Sequence, residues 1–217
     1  MASLEPARQG AFVALGHQRW FTTGETLIHE GQADRSVFLL LSGRVKVVST
    51  DTAGHPVLLA VRLEGDVVGE LAALDEEPRS ATVVAASRVA ARLIGPSAFR
   101  AHLAADVEAA AAVHRSVVGK LREATRIRSD LGSATVVARL ATILVQLGER
   151  HGVEVSQGRL LDLQLSQADL AALIGAGEKS VHRALALLRE RGFVLTGGQR
   201  QLLLRNLDGL ARFAREA

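Results

Sequence analysis

Cysteine and tyrosine are missing from this 217-residue chain, and it has one tryptophan, one methionine and four prolines. Without thiols it can form no disulfide, iron–sulfur cluster or zinc-thiolate site. Aromatics make up 3% of residues against 48% hydrophobic residues overall, so the core must be built from Leu, Val, Ile and Ala. No run approaches the ~18 uninterrupted apolar residues of a membrane span. Met1–Gly10 also lacks the apolar stretch of a signal peptide, so a cytoplasmic protein without membrane contact is expected. The seven histidines show no i, i+3 or i, i+4 ligand spacing. Lys179-Ser180 after Gly175 and Gly177 fails the phosphate-loop pattern, because Glu178 and Leu173 stand where that motif needs glycine. No nucleophile motif stands out, so no enzyme activity, catalytic cofactor or metal is expected.

What is present is divided along the chain. Residues 1–134 carry 15 Lys+Arg and 15 Asp+Glu, whereas residues 135–217 carry 11 against 8 and supply the whole net charge of +3. A basic C-terminal third is the electrostatic footprint of a nucleic-acid-binding segment. From Phe21 to Ile94, short β-type runs alternate with glycine turns: residues 26–28, 37–41, 45–48, 57–61, 81–84 and 89–94. That rhythm predicts an antiparallel sandwich or barrel. Residues 65–78 interrupt it, with one or two helical turns over Glu70–Leu74. From Ser97 to about Ser129 an Ala-rich stretch, with Leu131 just beyond it, places Ala110, Val113, Val117, Leu121, Ala124 and Leu131 at steps of three, four or seven, with Arg128 interrupting. The spacing predicts one long amphipathic helix whose length suits a seam against a partner helix, with packing on its own barrel alone as the other reading. Leu131-Gly132-Ser133 then marks a hinge. Beyond it come a helix over Thr135–Glu149, a strand over Leu161–Leu165, two helices, a hairpin with Gly197-Gly198 at its tip, and a last helix around Leu207–Arg215.

The two central helices carry the sharper signal. Ser166 with Asp169 three residues on is a capping start, and Leu170, Leu173 and Ile174 form one apolar face. Gly175 permits a tight turn, and a second helix opens near Gly177 with Val181, Ala184, Leu185 and Leu188 inward. Glu178, Lys179, Ser180, His182 and Arg183 therefore crowd its outward N-terminal face. Two short helices joined in this way form a helix-turn-helix, whose second helix enters the major groove of double-stranded DNA. Arg183 is the best base reader, since a guanidinium grips guanine O6 and N7. Lys179, and Arg200 at the wing tip, suit phosphates. Gly192 is an αL end signal.

In the interrupting segment, Gly69-Glu70-Leu71 is followed by Pro78-Arg79-Ser80-Ala81-Thr82. A cyclic phosphate needs a cation and hydroxyl or amide donors, which Arg79, Ser80 and the amides around Gly69 and Leu71 can supply. Glu70 can accept from a ribose hydroxyl. A plain salt bridge between Glu70 and Arg79 would explain the same residues. The order of these motifs resembles the catabolite activator (CRP/FNR) family of transcription regulators, from about Phe12 to the end. Its sensor framework is matched by Gly24-Glu25, Glu30-Gly31, Asp34, residues 38–43 and Val45-Lys46-Val47.

The resemblance implies an α+β fold: an N-terminal antiparallel β-roll of the jelly-roll type, a long dimerisation helix and a C-terminal winged helix-turn-helix. The expected boundaries are residues 1–105, 106–134 and 135–217. It further implies ligand contacts by Gly69, Glu70, Leu71, Arg79, Ser80, Thr82 and Thr125, with cAMP as the allosteric ligand and cGMP as the alternative. The family's Thr-Ser pair for the adenine is Ala124-Thr125 here, and its opening Arg on the recognition helix is Glu178, which implies a different operator. A homodimer and RNA polymerase complete the expected partners. In the expected mechanism Arg79 lacks an anionic partner until the ligand arrives. Two other readings stay open: constitutive DNA binding with a re-purposed pocket, and a sensor subunit acting through protein contacts.

Overall fold

A computed structural model of the chain describes residues 6–52, 54, 56–130, 135–197 and 200–217. The chain divides into two compact units, one up to Glu123 and one from Ala124. In the first, α1 (Pro6–Ala14) precedes β1 (His17–Phe21), β2 (Thr26–Ile28), β3 (Val37–Ser42), β4 (Arg44–Thr50), β5 (Pro56–Leu63) and β6 (Val67–Val68). Then follow α2 (Glu70–Asp75), β7 (Thr82–Ala85), β8 (Val89–Ile94), α3 (Pro96–Ala105) and α4 (Val107–Asp130), which continues past the division.

Two four-stranded antiparallel sheets, ordered β1-β8-β3-β6 and β2-β7-β4-β5, face each other. Phe21, Phe38, Val45, Val83 and Val89 fill the space between them. The first sheet's other face is covered by helices, through Phe12 of α1, Phe99 of α3 and Ala109, Ala112 and Val113 of α4. Every strand expected from the glycine rhythm is present. Three elements are additional: α1, β1 and the two-residue β6. In β1 only Phe21 is buried, so it carries no alternation to read; its pairing with β8 from His17↔Leu93 to Phe21↔Val89 makes it a strand.

The single long helix expected from Ser97 is two helices. Asp106 has extended backbone (φ −126°, ψ 100°), and its carboxylate accepts from the amides of Glu108 and Ala109 at 3.0 and 3.1 Å. A side chain that satisfies two orphan N–H groups starts a new helix there. The seam residues also part company. Val113 is buried on the chain's own sheet, whereas Val117 is half-buried and Leu121 is 65% exposed. The expected hinge at Leu131-Gly132-Ser133 lies outside the described residues.

The second unit contains α5 (Val136–His151), β9 (Val153–Val155), β10 (Gly158–Leu161), α6 (Gln167–Ile174), α7 (Glu178–Glu190), β11 (Val194–Thr196), β12 (Leu202–Leu204) and α8 (Leu207–Glu216). Its sheet is antiparallel in the order β11-β12-β10-β9. The strand expected over Leu161–Leu165 ends where it was expected to begin. Gln164 has φ 57° and donates to Asp162 Oδ1 at 2.7 Å, a left-handed turn that leaves the ladder although Leu163 and Leu165 stay buried. Among the described residues, no helix is long and apolar enough to cross a membrane.

Candidate ligand site and nucleic-acid interface

Within the interrupting segment, the site begins where β6 ends. Gly69 has φ 83°, and a Cβ there would lie 2.7 Å from Arg79 Nη1 and 2.9 Å from Ser36 O. Only glycine supplies both the left-handed turn and the close approach. The turn brings Gly69 O within 2.8 Å of Arg79 Nη1, which donates to it. Arg79 Nη2 donates to Ser36 O at 2.5 Å and to Asp34 Oδ2 at 2.6 Å. The backbone holds the same arrangement, since Arg79 N donates to Gln32 O and Arg79 O accepts from Gly31 N. The residue is 3% exposed, and its Nε alone has no partner.

Arg79 is therefore not the unpaired cation expected of an unliganded site. A buried guanidinium without a counter-charge is too costly to keep, and the chain provides Asp34 and two carbonyls. Burial works against the Asp34 charge, but hydrogen bonds from Arg79 and Ser36 outweigh it and hold the carboxyl below the usual aspartate value. A depressed carboxyl contributes stability above its unfolded value of about 4 and loses it as pH falls through the folded one. Stability should thus drop more steeply below about pH 4 in the parent than in Asp34→Asn. Acid titration followed by near-UV circular dichroism measures it, and identical acid limbs would count against the pairing.

Glu70, 4% exposed, begins α2. Its Oε1 accepts from Lys120 Nζ of α4 at 2.7 Å, and the same ammonium donates to Val67 O at 2.6 Å. Glu70 and Arg79 are therefore not paired to each other: each has its own partner. Leu71 and Ser80 are exposed beside them. Half-buried Thr82 accepts from Glu30 N at 3.0 Å through its Oγ1. Thr125 is exposed on α4 and belongs to the second unit. The roles of Asp34 and Lys120 were not legible in the sequence. Asp34 stood there only as part of a framework, and Lys120 lies 50 residues from its partner.

In the second unit the helix-turn-helix is built as its residues dictate. Ser166 Oγ accepts from Asp169 N at 3.1 Å while Ser166 N donates to Asp169 Oδ2 at 2.7 Å, so both halves of the capping box are made. Gly175 turns the chain at φ 60°, and Gly177 caps α7. Val181, Ala184, Leu185 and Leu188 are buried, which leaves Glu178, Lys179, His182 and Arg183 exposed and Ser180 half-buried. Arg183 Nη2 reaches Ser180 Oγ at 3.5 Å. Arg200, exposed with φ 60°, stands between β11 and β12, the two strands of the wing.

Comparison with known proteins matches residues 18–106 to the Cyclic nucleotide-binding domain family and residues 138–213 to the Crp-like helix-turn-helix domain family. The chain belongs to the CRP/FNR family of transcription regulators. The CRP/FNR family consists of DNA-binding regulators, not enzymes. The "CRP-like cAMP-activated global transcriptional regulator" of Mycobacterium tuberculosis is 29% identical over 195 residues, 90% of this chain and 87% of that protein. The structure of FixK2 from Bradyrhizobium japonicum superposes with a TM-score of 0.79 at 26% identity, covering 91% of this chain and 96% of that one. The c-di-GMP responsive global regulator CLP of Xanthomonas campestris shares the CRP/FNR fold at 20% identity and a TM-score of 0.78, covering 93% and 100%. The fold alone therefore does not select a ligand.

Proposed function

We propose that this CRP/FNR protein binds double-stranded DNA as a homodimer under the control of a cyclic nucleotide, with cAMP the first ligand to test. One observation carries the ligand reading. Of the three buried charged residues among those described, Glu70 and Arg79 both lie in the Gly69–Thr82 segment. Interior charges are expensive, and a chain that needed only a stable roll could fill these places with apolar side chains. Arg79 and Ser80 would hold the cyclic phosphate, Glu70 the ribose, Gly69, Leu71 and Thr82 the surrounding wall, and Thr125 the base. The similarity to a cAMP-activated relative favours cAMP over cGMP.

In this reading the sensor spans residues 1–105, the dimerisation helix and hinge 106–134, and the DNA-binding domain 135–217. Dimer contact through Val117, Leu121 and their neighbours would set two recognition helices about 34 Å apart, one turn of DNA. RNA polymerase is then the downstream partner, and the cytoplasm the place of work.

A ligand acts at a distance only by binding one arrangement of the dimer better than another. Calorimetric titration with cAMP, cGMP and c-di-GMP tests the assignment, joined to operator binding with and without each. Saturable cAMP binding that tightens DNA binding is the expected result. A second reading, constitutive DNA binding, is favoured by the pairing of Arg79 with Asp34 and of Glu70 with Lys120, since neither charge requires a ligand. DNA affinity unmoved by all three nucleotides would establish it. On the DNA side, Arg183→Ala should relax base preference at one operator position by ~1–3 kcal/mol. A binding-site selection that returns the parental preference would remove Arg183 from the reading face.

A further inference from the structure

Two buried side chains of the first unit grip the same helix. Arg62, near the end of β5, is 5% exposed; its Nη1 donates to Glu123 Oε2 at 3.0 Å and to Val61 O at 3.2 Å. The pair is enclosed, with side-chain exposures of 7% and 21%. Three residues earlier on α4, Lys120 donates to Glu70 and to Val67 O. Residues three apart share a helix face, so α4 is held by one pair to β5 and by the other to the start of α2. Nearer its N-terminus the same helix is held differently, by Ala109, Ala112 and Val113 in an apolar core.

The change from apolar to ionic packing comes at Lys120 and Glu123, and Glu123 is the last residue of the first unit. Packing of small side chains such as Ala109 and Ala112 sets the rotation of a helix less sharply than a directional contact does. A hydrogen-bonded ion pair sets it sharply, because a rotation that parts the pair leaves the buried Arg62 charge uncompensated. Arg62–Glu123 thus fixes the rotation of α4 within one turn of the point where Lys120 must meet Glu70. Glu70 belongs to the Lys120 pair and not to the Arg62 pair, so a ligand drawing on its carboxylate would compete with the first and not touch the second.

We propose that Arg62 is a positioning residue for the ligand response. Through Glu123 it holds α4 against β5 in the rotation at which Lys120 meets Glu70, so that events at Glu70 reach the helix leading into the DNA-binding unit. The ligand half of this inference rests on the cyclic-nucleotide reading; the holding of α4 does not.

The test uses the full chain with Glu123→Gln, Arg62→Met and Arg62→Lys. Hydrogen exchange is followed along α4, and operator affinity is measured with and without cAMP. Glu123→Gln and Arg62→Met should each speed exchange about tenfold over residues 118–125 but not over 109–113, and shrink the cAMP-dependent contrast in DNA affinity about tenfold. Arg62→Lys, which keeps the charge, should recover most of both. Exchange over 109–113 reports whether a variant has unfolded, and the near-isosteric Gln variant guards against that outcome. Unchanged exchange over 118–125, or Met and Lys variants that behave alike, would overturn the proposal. A parent chain indifferent to cAMP would instead overturn the ligand reading, and the exchange data would still judge the hold on α4.

Discussion

Replacing Arg79 by alanine is expected to abolish measurable cAMP binding and to destabilise the first unit by about 2–3 kcal/mol. The guanidinium has three anchored contacts, with Asp34, Ser36 O and Gly69 O, and truncation takes the donor from all three. Breaking a fully buried pair costs about 3–5 kcal/mol. Here the Asp34 side chain is 57% exposed and returns to water cheaply, which lowers the figure. The two carbonyls cannot all do so, since Ser36 is only half-exposed and Gly69 lies beneath the arginine. Arg79→Lys keeps the charge but not the fork, so it should retain more stability than cAMP affinity. Urea unfolding and calorimetry on the same samples separate the two quantities. Undiminished cAMP affinity in the alanine variant would refute Arg79 as the phosphate contact.

Gly69→Ala is expected to disturb the same site from the other side, at about 3 kcal/mol. A left-handed alanine costs roughly 1–2 kcal/mol. The added methyl then meets Arg79 Nη1 at 2.7 Å, Ile28 Cδ1 at 2.8 Å and Ser36 O at 2.9 Å. Ile28 can turn its terminal methyl aside, but Ser36 O is backbone. The relief open to the chain is to move the guanidinium, so affinity and stability should fall together. Gly65→Ala is the matched control: its φ is similar, at 84°, but its Cβ would meet nothing within 4 Å. It should show the backbone penalty and keep the nucleotide affinity. Equal effects at the two glycines would mean that crowding around Arg79 plays no part.

Much of this architecture was legible because local chemistry and tertiary structure agree. The Ser166–Asp169 capping box, the Gly175 turn and the inward set Val181, Ala184, Leu185 and Leu188 are each readable from a few neighbouring residues, and each occurs as read. The misreadings arise where the deciding partner is remote or competing signals overlap. His17-Gln18-Arg19-Trp20 has no strand pattern of its own and becomes one on the edge of β8. Asp106 was a capping signal in plain view, overridden by the Ala-rich periodicity on either side. At the site the residue types were readable but their company was not. Asp34 is 45 residues from Arg79, and Glu123 is 61 from Arg62. Charges that meet only after two sheets close leave no periodic trace.

The second helix of the helix-turn-helix, α7, separates its labour cleanly. Everything that folds it lies on one side, in Val181, Ala184, Leu185 and Leu188, while Glu178, Lys179, His182 and Arg183 take no part in that packing. Surface exchanges of this kind usually move stability by no more than about 0.5 kcal/mol. If α7 reads DNA as proposed, the address is written in removable type: new operators would be reached by resetting a few outward letters while the press beneath them stays untouched.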